Sequence, residues 1–268
     1  MSFIKNTFKQ HPKKNILFCL FIMMSFLIGI VFISLADNIL NFDKLIFEKI
    51  QVLFSHIFLF IIPSFAFIYI YDFDVKIDKL PNRQLLLISL CLIICIIPLI
   101  AFLSQINQFI FSPNLELIDF QNRILHSETF LDTALNLIII AFIPAIGEEL
   151  IFRGIIQSRL LKWLSKPSIS IVLSSLIFSL VHFDLSGILP RFTLGLLLGY
   201  LFYWSKNLFI PIFIHFINNA IVVLLFYSNK ENFLEQNGLL NWKEAIVSLF
   251  AVFLLIFLFK KSMNKKVN

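Results

Sequence analysis

Charge and glycine are scarce in this chain. Of its 268 residues 14% are charged and 7 are glycine, whereas 59% are hydrophobic. Such a balance excludes an ordinary water-soluble domain, which has no use for so many long apolar runs. Cysteine is scarcer still. Cys19, Cys91 and Cys95 all fall inside apolar runs, so no disulfide framework is expected, and Cys91 and Cys95 read as small hydrophobes rather than metal ligands. Familiar protease signatures are missing as well. There is no His-Glu-x-x-His, no Gly-x-Gly-Asp to accompany Tyr71-Asp72, and no Gly-x-Ser-x-Gly. Those absences argue against zincin, aspartyl and serine-hydrolase chemistry. The first apolar run lacks a small-residue cleavage site, so no signal peptide is expected.

What is abundant is apolar sequence in membrane-length blocks. Runs at 16–35, 52–71, 85–103, 134–156, 168–183, 190–204, 208–227 and 244–259 predict an all-α, polytopic bundle of about eight transmembrane helices. No repeat or linker divides residues 1–268, which read as one integral membrane domain. The formal charge of +6 is concentrated at the ends and in alternate loops. Lys5, Lys9, Lys13 and Lys14 precede the first run, and Lys260, Lys261, Lys265 and Lys266 follow the last. Lys76, Lys79, Arg83, Arg159, Lys162, Lys166 and Lys206 fall on the same side. By the positive-inside rule both termini are cytoplasmic. The surplus is thus an orientation signal with some attraction to membrane lipid, not a nucleic-acid surface. A bacterial cytoplasmic membrane is the expected location, from the Phe-, Ile-, Lys- and Asn-rich composition. Residues 104–131 read as an interfacial amphipathic segment on the outer side.

Against this background a few polar residues stand out. Gly147-Glu148-Glu149-Leu150-Ile151-Phe152-Arg153 places ionisable groups inside the fourth run. On an insertion scale its charges cost roughly 8–10 kcal/mol, and the large apolar residues from Ala134 to Ile156 offset only roughly 4–7. Such residues face protein or water and mark functional sites. Glu149 and Arg153 are i and i+4, in the order that lets them pair along a helix. Glu148 points about 100° away and needs another partner. Pro144 is expected to kink the helix, and Gly147 to admit a neighbour closely. His182, His215 and Asn219 interrupt later runs. Counted from the turn near Pro167 at 1.5 Å per residue, Glu148 and His182 both lie roughly 21 Å deep. His215 and Asn219 share a face of the seventh run at roughly 12 and 18 Å. An acid, two imidazoles and an amide from three helices are thus expected around an intramembrane cavity. Each has a plain structural alternative: ion pairing for the glutamates and Arg153, helix-bridging hydrogen bonds for His182, His215 and Asn219. His11, His56 and His126 are assigned no role, and Asn218 is a weak candidate pointing elsewhere.

A carboxylate beside an imidazole, shielded from bulk water, suits activation of a water molecule. A second imidazole with a carboxamide suits a developing oxyanion. Alternatively Glu148, His182 and His215 could hold zinc with a position left open for water.

The sequence Glu-Glu-x-x-x-Arg, then Phe-x-x-x-His, then His-x-x-x-Asn resembles the CPBP family of intramembrane proteases. That family includes the CAAX prenyl endopeptidases and the bacterial Abi or bacteriocin-processing proteins. The matching residues are Glu148, Glu149 and Arg153, then Phe178 and His182, then His215 and Asn219, within a core of about 134–227. The resemblance implies an endopeptidase acting on a membrane-associated peptide or protein, prenylated in the eukaryotic type. It implies that Glu148 and His182 activate the water, that His215 and Asn219 support the oxyanion, and that the mechanism is either zinc-dependent or metal-free. Two other readings stand beside it: a non-catalytic immunity or scaffold protein, and a transporter with midplane charges. The intact His and Asn positions favour the protease over the former, and the lack of two related halves disfavours the latter.

Overall fold

In the computed structural model, residues 43–75, 80–228 and 242–264 are described, with isolated positions between 21 and 35. Much of the first expected run, 16–35, and most of the terminal lysines lie outside the described residues. Among the described residues there is no strand. Helix α1 is Lys44–Tyr71, α2 Arg83–Ile110, α3 Leu115–Leu125 and α4 Phe130–Leu164. They are followed by α5 Pro167–Leu180, α6 Ile188–Ser205, α7 Phe209–Tyr227 and α8 Trp242–Asn264.

The all-α polytopic bundle is borne out, with a difference in span number. Among the described residues 6 helices are long and apolar enough to cross a membrane. The expected span 168–183 is a helix of only 14 residues, α5. At 1.5 Å per residue it reaches about 21 Å, short of a hydrocarbon core of about 30 Å. Residues 104–131 are also more divided than expected. Their first part completes α2, their middle forms the amphipathic α3, and their end starts α4.

Helix ends follow local chemistry. The Asn82 side chain accepts from the Leu85 N–H to start α2, and Thr129 with Asp132 forms a reciprocal capping box at the start of α4. Ser165 and Lys206, with φ of 54° each, end α4 and α6 in left-handed conformation.

Pro144 and Pro63 both stand within helices that continue past them. Each comes just after a wider π turn, Leu137–Phe142 in α4 and Ile57–Ile61 in α1. A π turn absorbs the missing N–H and the ring's clash with the preceding carbonyl, so both helices run on. A third π segment, Leu150–Gln157, follows the two glutamates directly.

One side of the bundle is an apolar core. Leu92, Ile93 and Ile96 of α2 meet Leu197, Leu198 and Leu201 of α6, Ile210 and Ile214 of α7 and Phe259 of α8. The Ser248 hydroxyl donates to the Cys95 carbonyl at 2.5 Å, joining α8 to α2. Lipid is as apolar as these side chains, so close packing and such hydrogen bonds hold the helices together. The polar residues gather on the other side, where α4 meets α1, α5, α6 and α7.

Candidate active site

Glycine sets the spacing around α4. A Cβ on Gly147 would stand 3.0 Å from the Phe60 Cβ and 3.1 Å from Ile61 Cγ1, so the bare glycine is what lets α1 approach. On α6, a Cβ on Gly195 would stand 3.0 Å from the Ser175 Cβ, and one on Gly199 would stand 2.8 Å from Ile171 Cγ2. Helices α5 and α6 are thereby drawn together against α4.

The closely set backbones are bridged by polar side chains at one-turn intervals on α4. Glu149 and Arg153 form the expected pair, Arg153 Nη1 donating to Glu149 Oε1 at 2.7 Å. Arg153 Nη2 reaches across to the Gly195 carbonyl at 3.1 Å, and its guanidinium lies 4.7 Å above the Phe178 ring. One turn on, Gln157 Nε2 donates to the Gly199 carbonyl at 2.8 Å. The sequence reading passed over Gln157, although its i+4 spacing from Arg153 was the available signal. Glu149 and Arg153 are 0% and 1% exposed, so the pair is a buried one that locks α4 to α6.

Glu149 also accepts a hydrogen bond from His215 Nδ1 of α7 at 2.8 Å. The bond fixes the imidazole orientation and turns Nε2 toward Glu148, whose Oε2 lies 3.8 Å away. Glu148 is 3% exposed and His215 likewise 3%. The two motif glutamates thus divide the work: Glu149 orients an imidazole through its own arginine-held oxygen, and Glu148 faces that imidazole's far side.

His182 sits differently from expectation. α5 stops at Leu180, so His182 belongs to the turn beyond the helix rather than to a spanning segment. His182 is exposed, its ring packs against Phe178 at 5.6 Å, and it lies among the charges of Glu148, Arg191, His215 and His56. Phe178, the other residue of that motif, contacts His182, His215, Phe152 and Arg153 and forms the wall between them.

Non-helical backbone within a membrane needs internal partners. The turn after His182 has them. Asn107 of α2, fully buried, donates to the Leu185 carbonyl at 2.8 Å and accepts from the Leu189 N–H at 3.0 Å. Arg191 Nη2 pairs with Asp184 Oδ2 at 2.8 Å and also donates to the Asp184 carbonyl. Asp184 in turn accepts from the Ser186 N–H and hydroxyl.

Asn219, one turn beyond His215, points its amide toward the Ile140 carbonyl of α4 at 3.4 Å and accepts from Asn218 Nδ2 at 3.1 Å.

The residue that sequence reasoning missed is His56. It lies on α1, outside all three motifs, yet its Nε2 is 3.3 Å from Glu148 Oε1. Its Nδ1 donates to the Val52 carbonyl at 2.9 Å. No local spacing connects positions 92 apart in the chain, so only packing could reveal the contact. His126 pairs with Glu128 near the surface, away from the site, and His11 lies outside the described residues.

Among the described residues no group of three His, Cys, Asp or Glu side chains is placed to hold a metal ion, and this includes the expected set Glu148, His182 and His215. Glu148 turns one oxygen to His56 and the other to His215.

Residues 130–221 match a family model described as type II CAAX prenyl endopeptidase Rce1-like. Among curated proteins, the putative membrane peptidase YdiL of Bacillus subtilis (strain 168) is 33% identical over 104 residues, covering 39% of this chain and 42% of that protein. The membrane-embedded CAAX protease MroQ of Staphylococcus aureus (strain USA300) is 34% identical over 102 residues, 35% of this chain and 41% of MroQ. The uncharacterized protein YpbD of Bacillus subtilis (strain 168) is 31% identical over 90 residues, 32% of this chain and 43% of YpbD. The chain thus spans about two fifths of the length of the curated relatives it matches. No solved structure matches it. The resemblance to the CPBP family carried by the three motifs is borne out over the matched segment.

Proposed function

We propose that this chain, bearing a CPBP-type segment, is an integral membrane endopeptidase that hydrolyses peptide bonds of membrane-associated proteins or peptides. The seat of Glu148 carries the reading: a carboxylate 3% exposed, set between imidazoles from α1 and α7, with an exposed His182 within reach of its charge. An enclosed carboxylate among imidazoles is a general base for water.

In the proposed reaction Glu148 takes a proton from water, and the water oxygen adds to the carbonyl carbon of the scissile peptide. His182, at the end of α5, orients that water. The resulting oxyanion is met by His215 and the amide of Asn219. The proton then passes to the leaving nitrogen, the C–N bond breaks, and a carboxyl and an amine end separate. Glu149 and Arg153 hold His215 in place and touch no reacting atom.

The names of two relatives, a putative membrane peptidase and a membrane-embedded CAAX protease, support a peptide or protein substrate. The Phe-, Ile-, Lys- and Asn-rich composition is the ground for proposing peptide precursors, bacteriocin-type peptides included, or other membrane proteins. Whether a prenyl group is recognised is a separate question of substrate choice, read by comparing anchored peptides with and without it. The decisive experiment compares cleavage of such peptides by wild type, Glu148→Gln and His182→Ala. Abolished cleavage with intact membrane insertion is expected for both variants. Cleavage surviving both changes refutes the mechanism, and folded wild type that cleaves nothing leaves the immunity or scaffold reading in its place.

A further inference from the structure

The matched segment begins at residue 130, yet the glutamate at its centre is held from outside it. α1 delivers His56 at the last residue before its π turn, Ile57–Ile61. That turn widens the helix by one residue per turn and so re-aims whatever precedes it. Gly147, directly before Glu148, removes the Cβ that would meet Phe60 and Ile61 and push this stretch of α1 away. Both ring nitrogens of His56 are engaged. The Val52 carbonyl and an ionised Glu148 carboxylate can both only accept, so bridging them puts a hydrogen on each ring nitrogen, the imidazolium form, with the ring fixed in rotation and Nε2 donating to Glu148 Oε1. The ring is further held against Phe60 at 5.6 Å. A histidine merely filling space between helices would need neither an acceptor at each ring nitrogen nor an orientation toward the carboxylate.

We propose that His56 is the positioning residue for Glu148: it fixes one carboxylate oxygen, so that the other, 3.8 Å from His215 Nε2, faces the reacting water. This rests on the endopeptidase reading above and extends the working site to a helix beyond the three motifs. An oxygen released from His56 rotates about the carboxylate's side-chain bonds, and a misplacement on the order of 1 Å costs roughly a hundredfold in rate.

The test uses the full chain purified in detergent, with a quenched fluorescent peptide carrying a hydrophobic anchor as the probe. Five proteins are compared: wild type, Glu148→Gln, His56→Ala, His56→Gln and His56→Asn. Glutamine places an amide N–H near the Nε2 position, and asparagine places one near Nδ1. His56→Ala is expected to lower kcat roughly tenfold to a hundredfold with little change in KM. His56→Gln is expected to recover much of that loss and His56→Asn none. Wild-type kcat in His56→Ala, or rescue by asparagine equal to that by glutamine, overturns the proposal while a silent Glu148→Gln leaves the endopeptidase reading intact. Full activity in Glu148→Gln sinks the endopeptidase reading itself. A second measurement needs neither turnover nor a His56 variant. The ring nitrogen resonances of ¹⁵N-labelled His56 are expected to shift between wild type and Glu148→Gln, and their coincidence overturns the proposal.

Discussion

Replacing Arg153 with methionine strands a carboxylate. In the native protein Glu149 is 0% exposed, and Arg153, itself 1% exposed, donates to it at 2.7 Å. Methionine keeps the length of the side chain and much of its contact with Phe178, but removes both the donor to Glu149 and the donor to the Gly195 carbonyl. Breaking a buried pair by removing one partner costs about 3–5 kcal/mol, because the remaining charge has neither water nor counter-ion. Replacing both members with uncharged residues of similar shape costs far less. Glu149→Gln still offers an amide oxygen to His215 Nδ1, so the double variant Arg153→Met/Glu149→Gln keeps the hydrogen bond that orients the imidazole. The expectation is therefore non-additive: the double variant is more stable than Arg153→Met alone. Denaturant unfolding of the purified proteins in one detergent, followed by circular dichroism, reads the difference. A loss under about 1 kcal/mol for Arg153→Met, the range of an exposed pair, refutes the reasoning. So does a double variant as unstable as the sum of the two single ones.

Other expectations follow from glycine spacing, the clamp on the α5–α6 turn, and zinc. Gly199→Ala puts a Cβ 2.8 Å from Ile171 Cγ2 and 2.9 Å from Gln157 Oε1, so overpacking is expected to cost about 1–3 kcal/mol in the same unfolding assay. Gly154→Ala meets Leu208 and Val75 at an ordinary 3.6 Å, and is expected to leave stability unchanged or raise it by the helix preference of alanine. Equal losses in the two variants would contradict the packing described between α4, α5 and α6. Asn107→Leu deprives the Leu185 carbonyl and the Leu189 N–H of their partner. A loss of about 1–3 kcal/mol per stranded group is expected, with reduced cleavage because His182 sits on the released turn; a variant with native stability and turnover would show that the clamp is dispensable. Exhaustive chelation is expected to leave cleavage intact, and activity lost on chelation and restored by zinc would overturn the base-only step.

Much of this protein is legible one helix at a time. Long apolar runs specify helices that cross a membrane, because no other element leaves an open-chain backbone satisfied in lipid. Within a helix, spacing determines which residues share a face. The Glu149–Arg153 pair could therefore be read directly from positions i and i+4, as could the common face of His215 and Asn219. The order of the motifs, and with it the family resemblance, is likewise a property of the chain alone.

Other features depend on how each rod is rotated and where it stops, and one-dimensional periodicity carries neither quantity. α5 ends at Leu180 instead of running through His182, because Asn107, Arg191 and Asp184 satisfy a turn that hydropathy alone would have continued as helix. The prolines at 63 and 144 each follow a π turn, and both helices continue through them. Gln157 gains meaning only from the Gly199 carbonyl across the interface. His56 is the clearest case: its partner is 92 residues away, and a glycine on the other helix, together with the π turn that follows His56, brings the two within 3.3 Å. Sequence determined what each helix is and which of its own residues lie together; tertiary packing alone decided which faces meet, because contact between helices depends on rotation about axes that the pattern along a single helix leaves free.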